Sequence, residues 1–358
     1  MSSYQRYYRS EARISRMALR NNARIMRNQA GEQVLQMAVV KANAYGHDAL
    51  QVAQTLQDVT DWLAVATVHE GIELRKGGID LPILVLGAPH PATVDFYLDF
   101  ALTPTVSARE QLSLLKPGME FHINIDTGMN RMGIRFDEWP DMREELEGSE
   151  VQCRGIFTHF ATAEDPDNPV VYRQLQRFRR ILESVPDEWL VHVANTGAAT
   201  FYDHLEFDMV RTGIGLYGYP PGNTSIGGLI PVLEWYTTID HIHRVKAGET
   251  VSYGATWQAQ EDCWIATLPV GYADGVPRLL SNQFRVRIGE RLVPSVGTVT
   301  MDYIMINLGQ TPEEVGTEVE ILGNNSNTAI DWAEKCSTIC YEVLTGINDR
   351  VARTYIKD

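Results

Sequence analysis

Eight times between residue 36 and residue 220, a short apolar run gives way to a stretch of helical period. The apolar runs fall at 36–40, 62–66, 83–86, 102–106, 121–125, 153–158, 190–193 and 209–211. Each is short and apolar enough to be a buried strand. Segments such as 68–76, 108–115 and 170–182 place apolar residues at helical spacing between them. Neighbouring parallel strands need a crossover, and a helix is the usual one. Eight such units in this length predict a closed (β/α)8 barrel of the TIM type rather than an open doubly wound sheet. An open nucleotide-binding sheet would carry G-x-G-x-x-G after its first strand, and none stands there.

Beyond Pro231 the texture changes. Runs at 232–242, 264–269, 284–288, 303–308 and 318–322 are spaced by Gly, Pro and Asn turns. They predict a second, mostly antiparallel β domain, interrupted by one amphipathic helix at 330–336. The expected organisation is α/β: a barrel over 1–228 followed by a β-strand-rich domain over 229–358. The extreme N-terminal strand is a candidate to pack with the second domain.

A formal charge of -15 on 358 residues argues against nucleic acid or an anionic membrane as partner. Apolar and charged fractions of 44% and 22% are those of a soluble globular protein. No run of 18 apolar residues predicts a membrane span. The first thirty residues are polar and arginine-rich, without the apolar segment of a secretory leader. Cys153, Cys263, Cys336 and Cys340 show no C-x-x-C spacing and are expected as free thiols. These features predict a cytoplasmic enzyme, and no cluster suggests a metal.

A barrel concentrates its chemistry at the C-terminal ends of the strands, with a phosphate site after the seventh and eighth. Lys41 ends the first run and His159 the sixth. Asn195 and Thr196 follow the seventh, and Arg211, Thr212, Gly213 and Ile214 close the eighth. The turn at Gly213 is expected to aim backbone N–H groups at a phosphate. A lysine leaving an apolar strand is partly desolvated, which lowers its pKa toward what covalent attachment of a carbonyl cofactor requires. Its position alone leaves open a lysine that merely snorkels to the rim.

The strings around these residues say more. A-V-V-K-A-N-A-Y-G-H at 38–47 resembles the pyridoxal-phosphate lysine motif of the alanine racemase family, with Asp48 where relatives usually carry glycine. D-T-G-M-N-R-M-G at 126–133 is similar to the family's loop that faces the substrate carboxylate. T-H-F-A-T-A at 158–163 resembles its histidine motif, and V-A-N-T at 193–196 its A-N-S, the hydroxyl being kept by Thr196. R-T-G-I-G-L-Y-G at 211–218 resembles R-x-G-I-A-L-Y-G. V-S-Y-G-A-T-W, L-P-V-G-Y-A-D-G-V-P-R, G-T-V-T-M-D-Y and T-I-C-Y-E-V continue the likeness in family order, to about residue 353.

The resemblance implies a racemase that interconverts L- and D-alanine and supplies D-alanine for peptidoglycan. By position it makes Lys41 and Tyr253 the two bases, lysine for the D-substrate proton and tyrosine for the L-substrate proton. It implies cofactor contacts at Lys41, Tyr45, His159, Asn195, Thr196, Arg211, Gly213, Ile214 and Tyr341. Substrate contacts are implied at Arg131, Tyr272, Met301 and Asp302. Arg211 is implied to donate to the pyridine nitrogen. Arginine does not give up its proton, so the ring stays a weaker electron sink and prompt reprotonation at Cα is favoured over transamination. Since Tyr253 lies in the other domain, a site shared across a homodimer is expected, as in relatives.

Departures from the family also carry expectations. The first thirty residues match it less well. Asn124 stands where many relatives carbamylate a lysine, so a small anion, chloride, is expected beside Asn124 and Arg131. Thr298 stands where many place an arginine along the substrate channel, which implies a wider or differently charged entrance. A serine or broader-specificity racemase is the nearer alternative, although serine would usually accompany loss of Tyr341. A non-catalytic pyridoxal-phosphate carrier, the further alternative, would need neither the β domain nor V-S-Y-G.

Overall fold

The computed structural model describes residues 9–31, 33–202, 207–222, 225–324 and 326–356. The first eight residues, part of the stretch read above for a leader, lie outside it. Strand β1 (Ser10–Ser15) comes first. The barrel strands follow as β2 (Leu35–Val39), β3 (Trp62–Val65), β4 (Ile83–Val85), β5 (Thr105–Val106) and β6 (Glu120–Asp126). After the two-residue β7 (Ile134–Arg135) come β8 (Gln152–Thr158), β9 (Leu190–His192) and β10 (Met209–Thr212).

These strands pair in parallel in the orders β10-β2-β3-β4 and β5-β6-β8-β9, with β7 added to β6. Single parallel bridges, Leu84 to Thr103 and Asn195 to Arg211, join the two sheets at both seams and complete the expected ring. Met37, Ala38, Leu63, Ala64, Ile83 and Leu84 are all fully buried. Near-continuous apolar strands of this kind suit parallel sheets covered on both faces. Helix Val170–Leu182 buries Val171, Gln174, Leu175, Phe178 and Ile181, one stripe at helical spacing. The stretch 108–115 is a 3-10 helix over Arg109–Leu114 rather than an α-helix. Its N-cap, Ala108, offers no side-chain acceptor, and Lys116-Pro117 stops it early.

The chain divides into two compact units. One is the barrel, Ala18–Ala44 and Asp48–Ile230; the other joins the residues up to Met17, Tyr45–His47 and the chain from Pro231. The second unit holds β11 (Leu233–Thr238), β12 (His241–Val245), β13 (Thr250–Val251), β14 (Trp257–Gln258) and β15 (Cys263–Leu268). It continues with β16 (Arg285–Ile288), β17 (Arg291–Val296), β18 (Ile304–Gly309), β19 (Glu318–Leu322) and β20 (Ala352–Ile356). Eight of them and β1 form one nine-stranded sheet in the order β12-β15-β18-β17-β16-β19-β11-β1-β20, and β13 pairs with β14. Strand β1 lies antiparallel to β11 and parallel to β20, with Ala12 and Ile14 fully buried.

Three expectations change here. The run 232–242 is two strands, because the chain switches partner at Ile239 and Asp240. Ile239 N–H donates to Thr317 O, and Asp240 N–H to Thr267 O. Strand β17 escaped the sequence reading because Pro294 interrupts it. The single helix at 330–336 is the first of two. Ser337, at φ +53, ends Ala329–Cys336, and Cys340–Gly346 follows.

Candidate active site

Lys41 leaves β2 into an unusual turn. Val40 N–H donates to Ala64 O at 2.9 Å, and Tyr217 Oη donates to Val39 O at 3.0 Å, which fixes the strand end. Beyond it, Ala42, Asn43 and Ala44 have φ of +52, Tyr45 +53 and Gly46 +83. Lys41–Gly46 is therefore a left-handed helical turn made mostly of non-glycine residues. Each such residue costs roughly 1–2 kcal/mol, so the surroundings must hold it. Glu70 does much of this. Its Oε1 accepts from Ala42 N–H at 2.7 Å, and its Oε2 from Ala66 and Thr67 N–H at 2.8 and 3.0 Å. Asn43 Oδ1 accepts from Ala49 N–H at 2.8 Å.

Asp48 has φ +72, a conformation that suits the glycine relatives carry, and its side chain accepts from Gln51 N–H to cap Ala49–Leu56. Lys41 is half-buried. Burial lowers its pKa, the Arg131 guanidinium lowers it further, and Glu70 opposes both.

Arg131 sits on a loop shaped by Asp126, whose Oδ1 accepts from Gly128 and Asn130 N–H at 2.9 and 3.0 Å. The buried Gln174 ties this loop to the one bearing His159, donating to Thr127 Oγ1 and His159 O and accepting from Ala161 N–H. Arg131 itself is exposed, so within the chain its guanidinium is not a buried charge that needs the expected chloride as partner. Asn124 is buried in β6, its Nδ2 3.4 Å from Ser107 Oγ.

Arg211 lies at the end of β10, buried, with both terminal nitrogens hydrogen-bonded. Nη1 donates to His192 O at 2.6 Å and His192 Nδ1 at 2.9 Å. Nη2 donates to Thr158 O at 2.8 Å, Val193 O at 3.2 Å and His159 Nδ1 at 3.3 Å. Among the described residues it forms no ion pair. Burial pushes its pKa down to about 9, which leaves it charged at neutral pH. Burial also pushes His159 down to about 3, with Arg211, Arg131 and Lys41 adding to the effect. His159 is thus a neutral imidazole whose Nδ1 accepts and whose proton sits on Nε2.

The groups expected at a phosphate are partly engaged with each other. Gly213 N–H donates to Thr196 Oγ1 at 3.0 Å, and Asn195 Oδ1 caps the next helix by accepting from Ala198 N–H at 2.9 Å. Thr196 keeps its hydroxyl proton to donate. Ile214 opens the short 3-10 helix Ile214–Tyr217.

In the second unit, Tyr45 and Tyr341 pack with ring centroids 5.9 Å apart. Tyr253 stands 75% exposed on a tight turn closed by Thr298. Thr298 is buried, beneath that turn. Tyr272 and Met301 are exposed, on segments joined by backbone bonds from Tyr272 N–H to Thr300 O and from Ala273 N–H to Met301 O, both 3.0 Å. The Asp302 carboxylate is taken by Arg350 at 2.7 Å.

Sequence reasoning missed Glu70, Gln174 and the buried histidines His122 and His192. The T-V-H-E capping box at 67–70 marked Glu70 as an N-terminal helix residue, though nothing local tied it to Ala42. His122, Asn124 and Asp126 occupy alternate buried positions of one strand, a polar stripe that could have been noticed.

Residues 14–221 match the family described as alanine racemase, N-terminal domain, and residues 232–355 the one described as alanine racemase, C-terminal domain. Among curated relatives, an alanine racemase of Halothermothrix orenii is 39% identical over 96% of each chain. One of Synechocystis is 39% identical over 97% of this chain and 99% of its own. Among solved structures, an alanine racemase of Clostridium difficile 630 reaches a TM-score of 0.93 at 33% identity, covering 98% and 97%. One from Bacillus anthracis with bound L-Ala-P reaches 0.91 at 34%, covering 99% and 96%.

Proposed function

The chain belongs to the alanine racemase family and interconverts L- and D-alanine, and we propose that Lys41 and Tyr253 carry its two proton transfers around a pyridoxal phosphate held at the barrel rim. The residues present suit that group. Lys41 offers an amine whose pKa is lowered by burial, and Arg211 offers a buried cation with no carboxylate paired to it among the described residues. Thr196, Gly213, Ile214 and Tyr341 are the proposed phosphate residues. Bound there, pyridoxal phosphate supplies the electron sink that lets a Cα proton leave.

A single base would return the proton to the face it left, so racemisation needs one base on each face. Lys41 Nζ is assigned to the D-substrate proton and Tyr253 Oη to the L-substrate proton. Arg131 provides a guanidinium for the substrate carboxylate. Neutral His159 keeps an Nε2–H free to donate. A tyrosine base 75% exposed would sit in water, and a second copy of the chain covering it makes a homodimer part of this reading.

The observation that carries the assignment is Lys41 itself: a half-buried amine of lowered pKa at a barrel strand end, delivered by a left-handed turn. Lys41→Ala should abolish borohydride-reducible cofactor attachment and racemisation together. Attachment that survives in this variant would assign the role to another lysine. Incubation with each L-amino acid and chiral analysis decides whether serine is also turned over.

A further inference from the structure

Two buried histidines have no part in the function above. His122 on β6 and His192 on β9 are fully buried, with His122 Nδ1 2.9 Å from His192 Nε2. His192 Nδ1 in turn lies 2.9 Å from Arg211 Nη1. The direction of every bond follows from one end. A guanidinium only donates, so His192 Nδ1 must accept and carries no proton. Neutral His192 then bears its proton on Nε2 and donates to His122 Nδ1. His122 bears its own proton on Nε2, and that atom has no partner among the described residues. The chain of donors therefore ends on a buried N–H that the fold leaves unmatched.

The rings are built in. Gly155 on β8 pairs with His122 across the strands, and a Cβ there would come within 2.8 Å of three of its ring atoms. Trp62 packs on His122 with centroids 5.3 Å apart, and Phe157 stacks on His192 at 4.7 Å and 22°. The same Phe157 ring lies 5.0 Å from Arg211 Cζ.

We infer that His122 is a positioning residue for Arg211. It holds His192 in the Nε2–H form, so that His192 Nδ1 can only accept and Arg211 Nη1 stays anchored. This rests on the reading that Arg211 faces the cofactor ring. Two imidazoles suit the task where a carboxylate would not, because they offer a lone pair without a negative charge and leave the guanidinium fully positive. Burial and the Arg211 charge hold His122 near 3 and His192 well below its ordinary value, so both stay neutral at working pH.

The test uses the ¹⁵N-histidine-labelled holoenzyme. His192 should show a bare Nδ1 and a protonated Nε2 from about pH 8 to about pH 5.5. His122→Phe keeps a ring over Gly155 but removes the acceptor. The His192 Nε2–H then has no acceptor, so the His192 ¹⁵N signals should shift as its bond to Arg211 loosens, and the bound-cofactor absorbance should shift. Its kcat should fall about five- to tenfold, the equivalent of one net hydrogen bond. His122→Asn, which places an acceptor oxygen near the lost Nδ1, should restore the His192 signals and most of the rate. Gly155→Ala should reproduce the His122→Phe signature with every histidine present.

A protonated Nδ1 on His192 in the parent enzyme overturns the inference. So do unchanged His192 ¹⁵N signals and rate in both His122→Phe and Gly155→Ala. Arg211→Gln separates the two readings. If it leaves the cofactor absorbance unmoved, Arg211 does not face the ring and the positioning role falls, while the tautomer data judge the bond pattern alone.

Discussion

Thr298 donates its hydroxyl to the backbone carbonyl of Tyr253 at 2.7 Å, and Ser252 donates its own to the carbonyl of Thr298 at 2.7 Å. The turn between them needs such a clamp, since Ser252, Gly254 and Ala255 have φ of +68, +75 and +48. Thr298→Val keeps the shape and removes the donor. It should cost about 1 kcal/mol of stability and slow both reaction directions several-fold. Thr298→Ser should behave like the parent. Thermal unfolding and kcat in each direction check this, and equal rates in the two variants would show that the clamp does not matter.

Glu70 both braces the left-handed turn and holds up the pKa of Lys41. In Glu70→Gln the amide nitrogen cannot accept, so at least one of the three backbone N–H groups loses its partner. Stability should drop by about 1–2 kcal/mol. With the negative charge gone, the Lys41 amine should titrate at lower pH, read as the pH dependence of cofactor capture by the apoprotein. A shift to higher pH would contradict this electrostatic account.

His122 and His159 are held near 3 by burial first and Arg211 second, and His192 is held well below 6.5 for the same reasons. Below an unfolded value of about 6.5, the unfolded chain takes up protons that the folded chain refuses. Stability is therefore present above that pH and is lost as pH falls toward 3. The slope is about 1.4 kcal/mol per pH unit for each histidine. Denaturant unfolding at fixed protein concentration between these limits checks it. His122→Phe should flatten the profile, and an unchanged slope would remove His122 from the account.

If Tyr253 serves the partner's lysine, mixing inactive Lys41→Ala and Tyr253→Phe proteins should regenerate activity. In the mixed dimer one site inherits both defects and the other neither. No recovery, with subunit exchange shown independently, would place both bases in one chain.

Asn124 has donor capacity left beyond its 3.4 Å contact with Ser107. An anion held there with Arg131 should make activity rise with chloride at constant ionic strength, a bulky anion being the replacement. A flat response would assign the space to water.

The barrel was legible because its evidence is local. Runs such as Ala38-Val39-Val40 and Ile83-Leu84-Val85 are buried on both faces, and burial writes itself into the composition of four or five neighbouring residues. Lys41, His159 and Arg211 were legible too, as the polar residues at strand ends within long motifs. Other features have causes far along the chain. The left-handed sense of Ala42–Ala44 is held by Glu70, 28 residues away, and nothing in A-N-A-Y announces it beyond the closing glycine. Strand β1 has its partners more than 200 residues downstream, in β11 and β20. The His122–His192–Arg211 chain joins three strands at separations of 70 and 19 residues. Periodicity and propensity act over a few residues, so sequence alone determined the barrel strands and the residues that end them. Hydrogen-bond direction, φ sign and the role of Thr298 depend on groups that only folding brings within 3 Å, and the tertiary structure decided those.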